Sequence, residues 1–271
     1  MTSPAASKLD VAGEALSPQP RFSVIVPAFN EEAGMAGCLQ ALAAQTFDGP
    51  VEVIVVDNAS TDGTAELAKG SGARVVHEPR AGVCFARQRG LEAATGEIVV
   101  TTDADTLCPP RWLQEIDEQL RRRPEAVAVA GPCVYVDGPW WSHLWTRVLF
   151  GLVAVIAGLT GRVLYVTATN LAFYRRTFSG YDTRLTQGGD ELDVLRRLRQ
   201  AGRVVFARAN PTYTSARRLE RGLLYSMFVS LCLQYILGYV LNRVARKPVV
   251  GGAPAFRSMA GPGAQRSASS R

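Results

Sequence analysis

Two carboxylates one residue apart, Asp103 and Asp105, close an apolar run, Glu97-Ile-Val-Val-Thr-Thr-Asp-Ala-Asp105. In an open α/β sheet, ligands bind just beyond the carboxyl ends of the strands. A strand that delivers two carboxylates there offers oxygen ligands to a hard divalent cation. Mg²⁺ in particular is held by one or two carboxylates together with substrate phosphates. Asp57 ends an earlier apolar run, Val51-Glu-Val-Ile-Val-Val-Asp57. An acidic residue at the end of a second strand commonly meets ribose hydroxyls or a base edge. A third acidic group, Asp190-Glu-Leu-Asp193, opens a helical stretch, and the pair Arg217–Arg218 suits a diphosphate because guanidinium donors match phosphate oxygens. With only two histidines, His77 and His143, carboxylates are the natural acid–base groups and a Ser-His-Asp site is disfavoured.

Composition narrows the classes further. The net charge of +6 fits anionic substrates or an anionic membrane surface, and no basic run interleaved with aromatics supports nucleic acid as a partner. The five cysteines show no CxxC spacing, which argues against a zinc site and for reduced thiols on the cytosolic side. No G-x-G-x-x-G follows the first strand and no G-x-x-x-x-G-K-S/T loop occurs, so dinucleotide and P-loop chemistry are disfavoured.

The elements that must position these residues follow from periodicity and punctuation. Residues 1–20, rich in Ala, Ser and Pro, read as a disordered leader without a signal peptide. Phe22 to Val26 is a buried strand ended by Pro27, and Asn30, Glu31 and Glu32 open a helix to about Gln45. The pattern repeats with strand 51–57 and helix 61–69, capped by Ser60 or Thr61. Strand 73–77, helix 82–94 and the strand ending at Asp103 come next. This alternation predicts an α/β fold, a Rossmann-like, mostly parallel sheet flanked by helices.

Pro109-Pro110 opens a further helix, 127–136 reads as one strand, and Arg203–Ala207 as another. Val148–Thr160 is apolar but, at thirteen residues, short of the ~20 needed to span a bilayer, so a buried or interfacial helix is expected after the tryptophans at 140, 141 and 145. Residues 223–241 carry no charge and have arginines on both sides; spanning, lying on a membrane and packing on the domain all remain open. The expected organisation is a domain at 21–216, an apolar membrane-associated helix within 217–247, and a flexible Gly/Pro/Ser-rich tail at 248–271.

Four segments in order carry a family resemblance: Val24-Ile-Val-Pro-Ala-Phe-Asn-Glu31, Val55-Val-Asp-Asn-Ala-Ser-Thr-Asp-Gly63, Ala81-Gly-Val-Cys-Phe-Ala-Arg-Gln-Arg-Gly90 and Gly96–Asp105. Together they resemble family 2 glycosyltransferases with the GT-A fold, over roughly residues 21–216. The resemblance implies a nucleotide-diphosphate sugar donor, a Mg²⁺ or Mn²⁺ ion at Asp105, and inversion at the anomeric carbon. By the same resemblance Pro27, Phe29, Glu31 and Asp57 line the nucleoside pocket, while Arg87 and Asp103 lie against the nucleotide. Asn170 faces the acceptor side of the cleft. The 190–193 cluster carries the catalytic base, Glu191 by alignment or Asp190 because the usual Glu-Asp order is reversed, with Asp193 serving the helix cap. A sugar or lipid-linked acceptor at the cytoplasmic side of a membrane completes the expectation. Its rivals are a sugar-nucleotide pyrophosphorylase, whose Gly-rich basic first loop is missing after Val26, and a non-catalytic membrane-associated scaffold that binds nucleotide sugars.

Overall fold

The computed structural model describes residues 19–185, 189–219 and 241. The first half alternates strictly: β1 (Phe22–Ala28), α1 (Met35–Ala43), β2 (Val51–Asp57), α2 (Thr64–Gly70), β3 (Arg74–His77), α3 (Val83–Ala93) and β4 (Ile98–Thr101). The second half is less regular: β5 (Thr106–Leu107), α4 (Trp112–Arg122), β6 (Ala126–Ala130), β7 (Cys133–Tyr135), α5 (Trp140–Thr160), β8 (Leu171–Tyr174), α6 (Gly189–Ala201), β9 (Arg203–Phe206) and β10 (Thr212–Thr214). Seven strands form one sheet in the order β3-β2-β1-β4-β8-β6-β9, parallel except for β8, and three form a small sheet, β5-β10-β7.

The alternation of side chains along β1 explains the layers. Phe22, Val24 and Val26 join a core with Met35 and Leu39 of α1 and with Trp112 and Leu113 of α4. Ile25 belongs to the opposite core, with Ala86 and Leu91 of α3 and Val194 and Leu198 of α6. A strand buried on both faces reads as a continuous apolar run, as β1 does over Val24–Val26, β2 over Ile54–Val56 and β4 over Ile98–Val100. Close helix–sheet approach needs Gly90, where a Cβ would lie 2.4 Å from Ile25 Cγ2. That approach brings Arg87, one turn earlier on α3, beneath the strand ends.

Several local expectations are corrected. Pro27 does not end β1 but lies within it, paired in register with Val56. The β4 ladder stops at Ile25↔Thr101, so at Pro27 the strand has a partner on one side only and a missing N–H is tolerated. Ser60 and Thr61 do not cap α2, which starts after Gly63 without a side-chain cap. The expected strand 127–136 is two strands in different sheets, broken at Gly131-Pro132. A Cβ at Gly131 would come within 2.3 Å of the Asn170 amide, so only glycine lets the chain turn there.

The largest correction concerns α5. It runs for 21 residues from Trp140, long and apolar enough to cross a membrane by length and composition, and only 17% of its apolar window is buried. Ser142, Thr146, Phe150 and Val153 pack inward. Trp140, Leu144, Val148, Leu152, Val155 and Leu159 are exposed and, at spacings of three and four, form a stripe on the opposite face. The length argument failed because the helix recruits the tryptophan segment as its first turns. The uncharged run at 223–241, apart from Leu241, and the tail at 248–271 lie outside the described residues, as do residues 1–18 of the leader.

Candidate active site

The loops after β1 and β2 clasp each other at the carboxyl edge of the sheet. Asn30 and Ala59 both adopt left-handed backbone conformations, with φ of 52° and 61°. Such residues cost about 1–3 kcal/mol of strain and persist where surrounding bonds enforce them. Here the Asn30 N–H donates to Ser60 Oγ (3.0 Å), Thr61 N–H donates to Asn30 Oδ1 (2.8 Å), and Glu31 N–H donates to Thr64 Oγ1 (2.8 Å). Ser60 and Thr61 therefore spend their polar groups on this clasp. Pro27 and Phe29 are half-buried beside it.

Asp57 ends β2 inside this frame. Its carboxylate accepts from Ser60 N–H at 3.0 Å and lies 3.1 Å from His77 Nδ1 at the end of β3. Burial opposes its ionisation, but the hydrogen bonds from Ser60 and the contact with His77 outweigh it and hold the pKa below the usual range.

The two aspartates after β4 point into different surroundings. Asp103 Oδ1 meets Arg87 Nη2 at 3.3 Å, and its Oδ2 accepts from Thr169 Oγ1 at 2.9 Å. The other arm of Arg87, Nη1, donates to Asp190 on α6. Arg87 and Asp190 are each 3% exposed. Burial disfavours the guanidinium charge, yet Asp190 and Asp103 raise its pKa above the ordinary value. Arg87 is thus an internal countercharge to Asp190 and Asp103.

Glu191 follows in the same turn of α6. Its Oε1 accepts from Ala168 N–H at 2.9 Å, while Oε2 is buried with no hydrogen-bond partner among the described residues. Burial, reinforced by the neighbouring charge of Asp190, raises its pKa to about 7. Asp193 is not a cap; Arg196 and Arg197, three and four residues on, hold it within its own helix.

Asp105 faces the small sheet. Thr214 Oγ1 donates to its Oδ1 at 3.0 Å, and Arg217 Nη2 lies 2.6 Å from its Oδ2. The same Arg217 nitrogen is 3.3 and 3.2 Å from the two carboxylate oxygens of Glu31. No group of three or more His, Cys, Asp and Glu that could cage a metal occurs among the described residues. A divalent ion at Asp105 would need further oxygens from a bound diphosphate, the arrangement Mg²⁺ favours. The guanidinium on Asp105 already marks that carboxylate as a cation seat, so the residues fit such an ion. The side chain of Arg218 lies outside the described residues.

Asn170 does not face the cleft. It is 2% exposed; its Oδ1 accepts from Trp112 Nε1 at 2.9 Å and its amide donates to Pro132 O and Asn210 O. All of its polar capacity goes to joining α4, the β6–β7 turn and the β9–β10 loop. Sequence inspection also missed His77, Thr169 and Thr214. His77 was findable, because it is the register partner of Asp57 at the end of the neighbouring strand. The two threonines carry no signal short of the tertiary fold.

A mostly parallel sheet with acidic residues at three carboxyl-edge positions and a closing second half defines the GT-A class of nucleotide-sugar-dependent folds. Residues 23–186, more than half of the sequence, match the family model Glycosyl transferase family 2, and the chain belongs to that family. An uncharacterized glycosyltransferase of Mycobacterium tuberculosis is 36% identical over 148 residues, 51% of this chain and 59% of the relative. Glycosyltransferase AglE of Haloferax volcanii is 34% identical over 102 residues, 35% of this chain and 34% of that protein. In both cases the match spans less than two thirds of the relative's length. Among solved structures, a mannosyltransferase of Pyrobaculum calidifontis in complex with GDP-Man and Mn²⁺ has a TM-score of 0.64 at 25% identity, covering 88% of this chain and 67% of that one. Glucosyl-3-phosphoglycerate synthase from Mycobacterium tuberculosis, in complex with Mn²⁺, UDP and glucosyl-3-phosphoglycerate, shares the fold with a TM-score of 0.59 at 23% identity, covering 86% of this chain and 81% of that one.

Proposed function

We propose that the protein is an inverting glycosyltransferase that moves a sugar from a nucleotide-diphosphate donor to an acceptor hydroxyl or phosphate. The observation that carries this reading is a pair of differently prepared carboxylates: Asp105, paired with Arg217, and Glu191, whose buried Oε2 has no hydrogen-bond partner among the described residues. The donor complexes of the mannosyltransferase and the synthase support the substrate class.

In this mechanism the clasped loops and Asp57 hold the nucleoside, with Pro27 and Phe29 at its face. Asp103 is fixed by Arg87 and Thr169 at the donor's inner end. Asp105 would hold Mg²⁺ or Mn²⁺, which when bound supplies Lewis-acid stabilisation of the leaving diphosphate. Glu191 Oε2 takes the proton of the acceptor hydroxyl as its oxygen attacks the anomeric carbon. The bond from that carbon to the diphosphate oxygen breaks on the opposite face, and the nucleoside diphosphate leaves with the electron pair. A general base works best with a pKa near the operating pH, which the raised value of Glu191 supplies. Asp190 is the weaker candidate because Arg87 occupies its carboxylate.

The test is a thermal-shift screen of nucleotide sugars with Mn²⁺. A donor present at about a hundred times its Kd should stabilise the protein by roughly 2.7 kcal/mol. Excess chelator or Asp105→Asn should abolish both the shift and transfer; full transfer in chelator would refute the metal-assisted reading.

The exposed stripe of α5 supports a membrane-proximal, lipid-linked acceptor. The helix begins close to the segment that carries Arg217: Ala216 N–H donates to Asp137 Oδ1 at 2.6 Å, and α5 starts three residues after Asp137. Exposed Arg147 and Arg162 flank its uncharged apolar run. Association with anionic vesicles should fall when Leu152 and Leu159 are both changed to Glu, with the fold retained. Unchanged partitioning would leave the acceptor reading without support from α5.

A further inference from the structure

We infer that Arg217 is a built-in surrogate cation, seated on Asp105 and Glu31 until a diphosphate and its divalent ion arrive together, and that it thereby makes the two bind cooperatively. The inference rests on the donor-site reading above and goes beyond it by assigning an order and a coupling.

The geometry is specific. All three contacts to Glu31 and Asp105 are made by Nη2, 2.6 Å from Asp105 Oδ2 and 3.2–3.3 Å from the Glu31 oxygens. One nitrogen shared by two carboxylates acts as a point charge, not as the planar fork by which arginine grips a carboxylate or phosphate. The segment that carries it is anchored: Asp137 accepts from Ser215 Oγ at 2.7 Å and from Ala216 N–H at 2.6 Å, and Ala216 is buried. The Arg217 side chain is 37% exposed and Asp105 21% exposed, so the guanidinium can leave its seat by side-chain rotation alone. Compare Arg87, whose two arms are fixed inside the protein.

Electrostatics then dictate the coupling. A divalent ion on Asp105 must displace Arg217, and the displaced guanidinium would sit beside a double positive charge. Nucleoside diphosphate removes that conflict by bringing negative charge for both cations and a phosphate edge that fits the fork. Metal alone is therefore disfavoured by Arg217, and diphosphate favours metal in return. Linkage makes the effect reciprocal, and couplings of this kind are typically about 5–150-fold.

The experiment titrates the full chain with Mn²⁺, following free Mn²⁺ by electron paramagnetic resonance, first alone and then with saturating UDP or GDP. In the wild type, the diphosphate should tighten Mn²⁺ binding by a factor in that range. Arg217→Gln should bind Mn²⁺ alone about tenfold more tightly, bind the diphosphate more weakly, and lose most of the coupling. Arg217→Lys keeps the charge without the fork, so Mn²⁺ alone should bind as in the wild type while diphosphate binding falls. If Arg217→Gln leaves the affinity for Mn²⁺ alone unchanged or weaker, the surrogate-cation role is wrong while the donor site stands. If the wild type binds neither diphosphate in the presence of Mn²⁺, the donor-site reading fails and this inference with it.

Discussion

Asp103 and Asp105 are separated by one residue and end in opposite kinds of electrostatic environment. Asp103, itself 29% exposed, reaches a buried pair, Arg87–Asp190, with Glu191 adjacent; the guanidinium and Asp190 are each 3% exposed. Asp105 joins an open one, Asp105–Arg217–Glu31, with an arginine 37% exposed. Each network sets one guanidinium between two carboxylates. What differs is dielectric and anchoring. A buried pair that loses a partner leaves an uncompensated charge at high cost, whereas an exposed pair exchanges its partner for water, metal or phosphate cheaply. The contrast lies in the guanidiniums rather than in the aspartates, whose side chains are similarly exposed, 29% for Asp103 and 21% for Asp105.

The largest effect is expected for Arg87→Met. It should cost about 3–5 kcal/mol in denaturant unfolding, because Asp190 and Asp103 lose their shared countercharge. Adding Asp190→Leu should recover part of that loss, since a neutral apolar pair carries no desolvation penalty; no recovery would mean that Arg87 stabilises by packing instead.

Glu191→Gln comes next and tests what the buried network prepares. Turnover should fall by about 10²–10⁴ with donor affinity nearly unchanged. In the wild type, activity should rise with pH through about 7 as Glu191 ionises, and the variant should lack that limb. The stability effect has the opposite sign. The folded-state pKa is raised, so the stabilising contribution is full below the unfolded carboxylate value and is lost as pH rises through about 7. The Gln variant should therefore melt higher than the wild type at pH 8 and much the same at pH 4. A wild-type activity profile in the variant would remove Glu191 from the mechanism.

The smallest effect is expected at the open network. Arg217→Gln should cost less in denaturant unfolding than Arg87→Met, because Arg217 is 37% exposed and Asp105 21%, although Glu31, at 10%, loses this cation. A loss as large as that of Arg87→Met would erase the distinction between the two guanidiniums.

Much of the first half was legible because its signals are local. Apolar runs bounded by turn residues gave β1, β2 and β4, and the acidic residues at their ends marked the ligand edge. Errors there were errors of detail, such as Pro27 continuing a strand that has lost one neighbour. In the second half the determinants are distant in sequence. Asn170 was placed at the acceptor side, but Trp112 and Asn210 claim it from 58 positions before and 40 after. The partner of Arg87, Asp190, lies 103 positions on, and no local pattern pointed to it.

The layers of the sheet, the family and the three acidic positions were readable from residue order, because burial periodicity and strand ends depend on near neighbours. The tertiary packing set which arginine lies inside, which stays half-exposed, and which carboxylate oxygen is buried with no hydrogen-bond partner among the described residues. Those properties follow from burial and from charges that approach across 186 residues in one case, Arg217 on Glu31, and no local pattern encodes them.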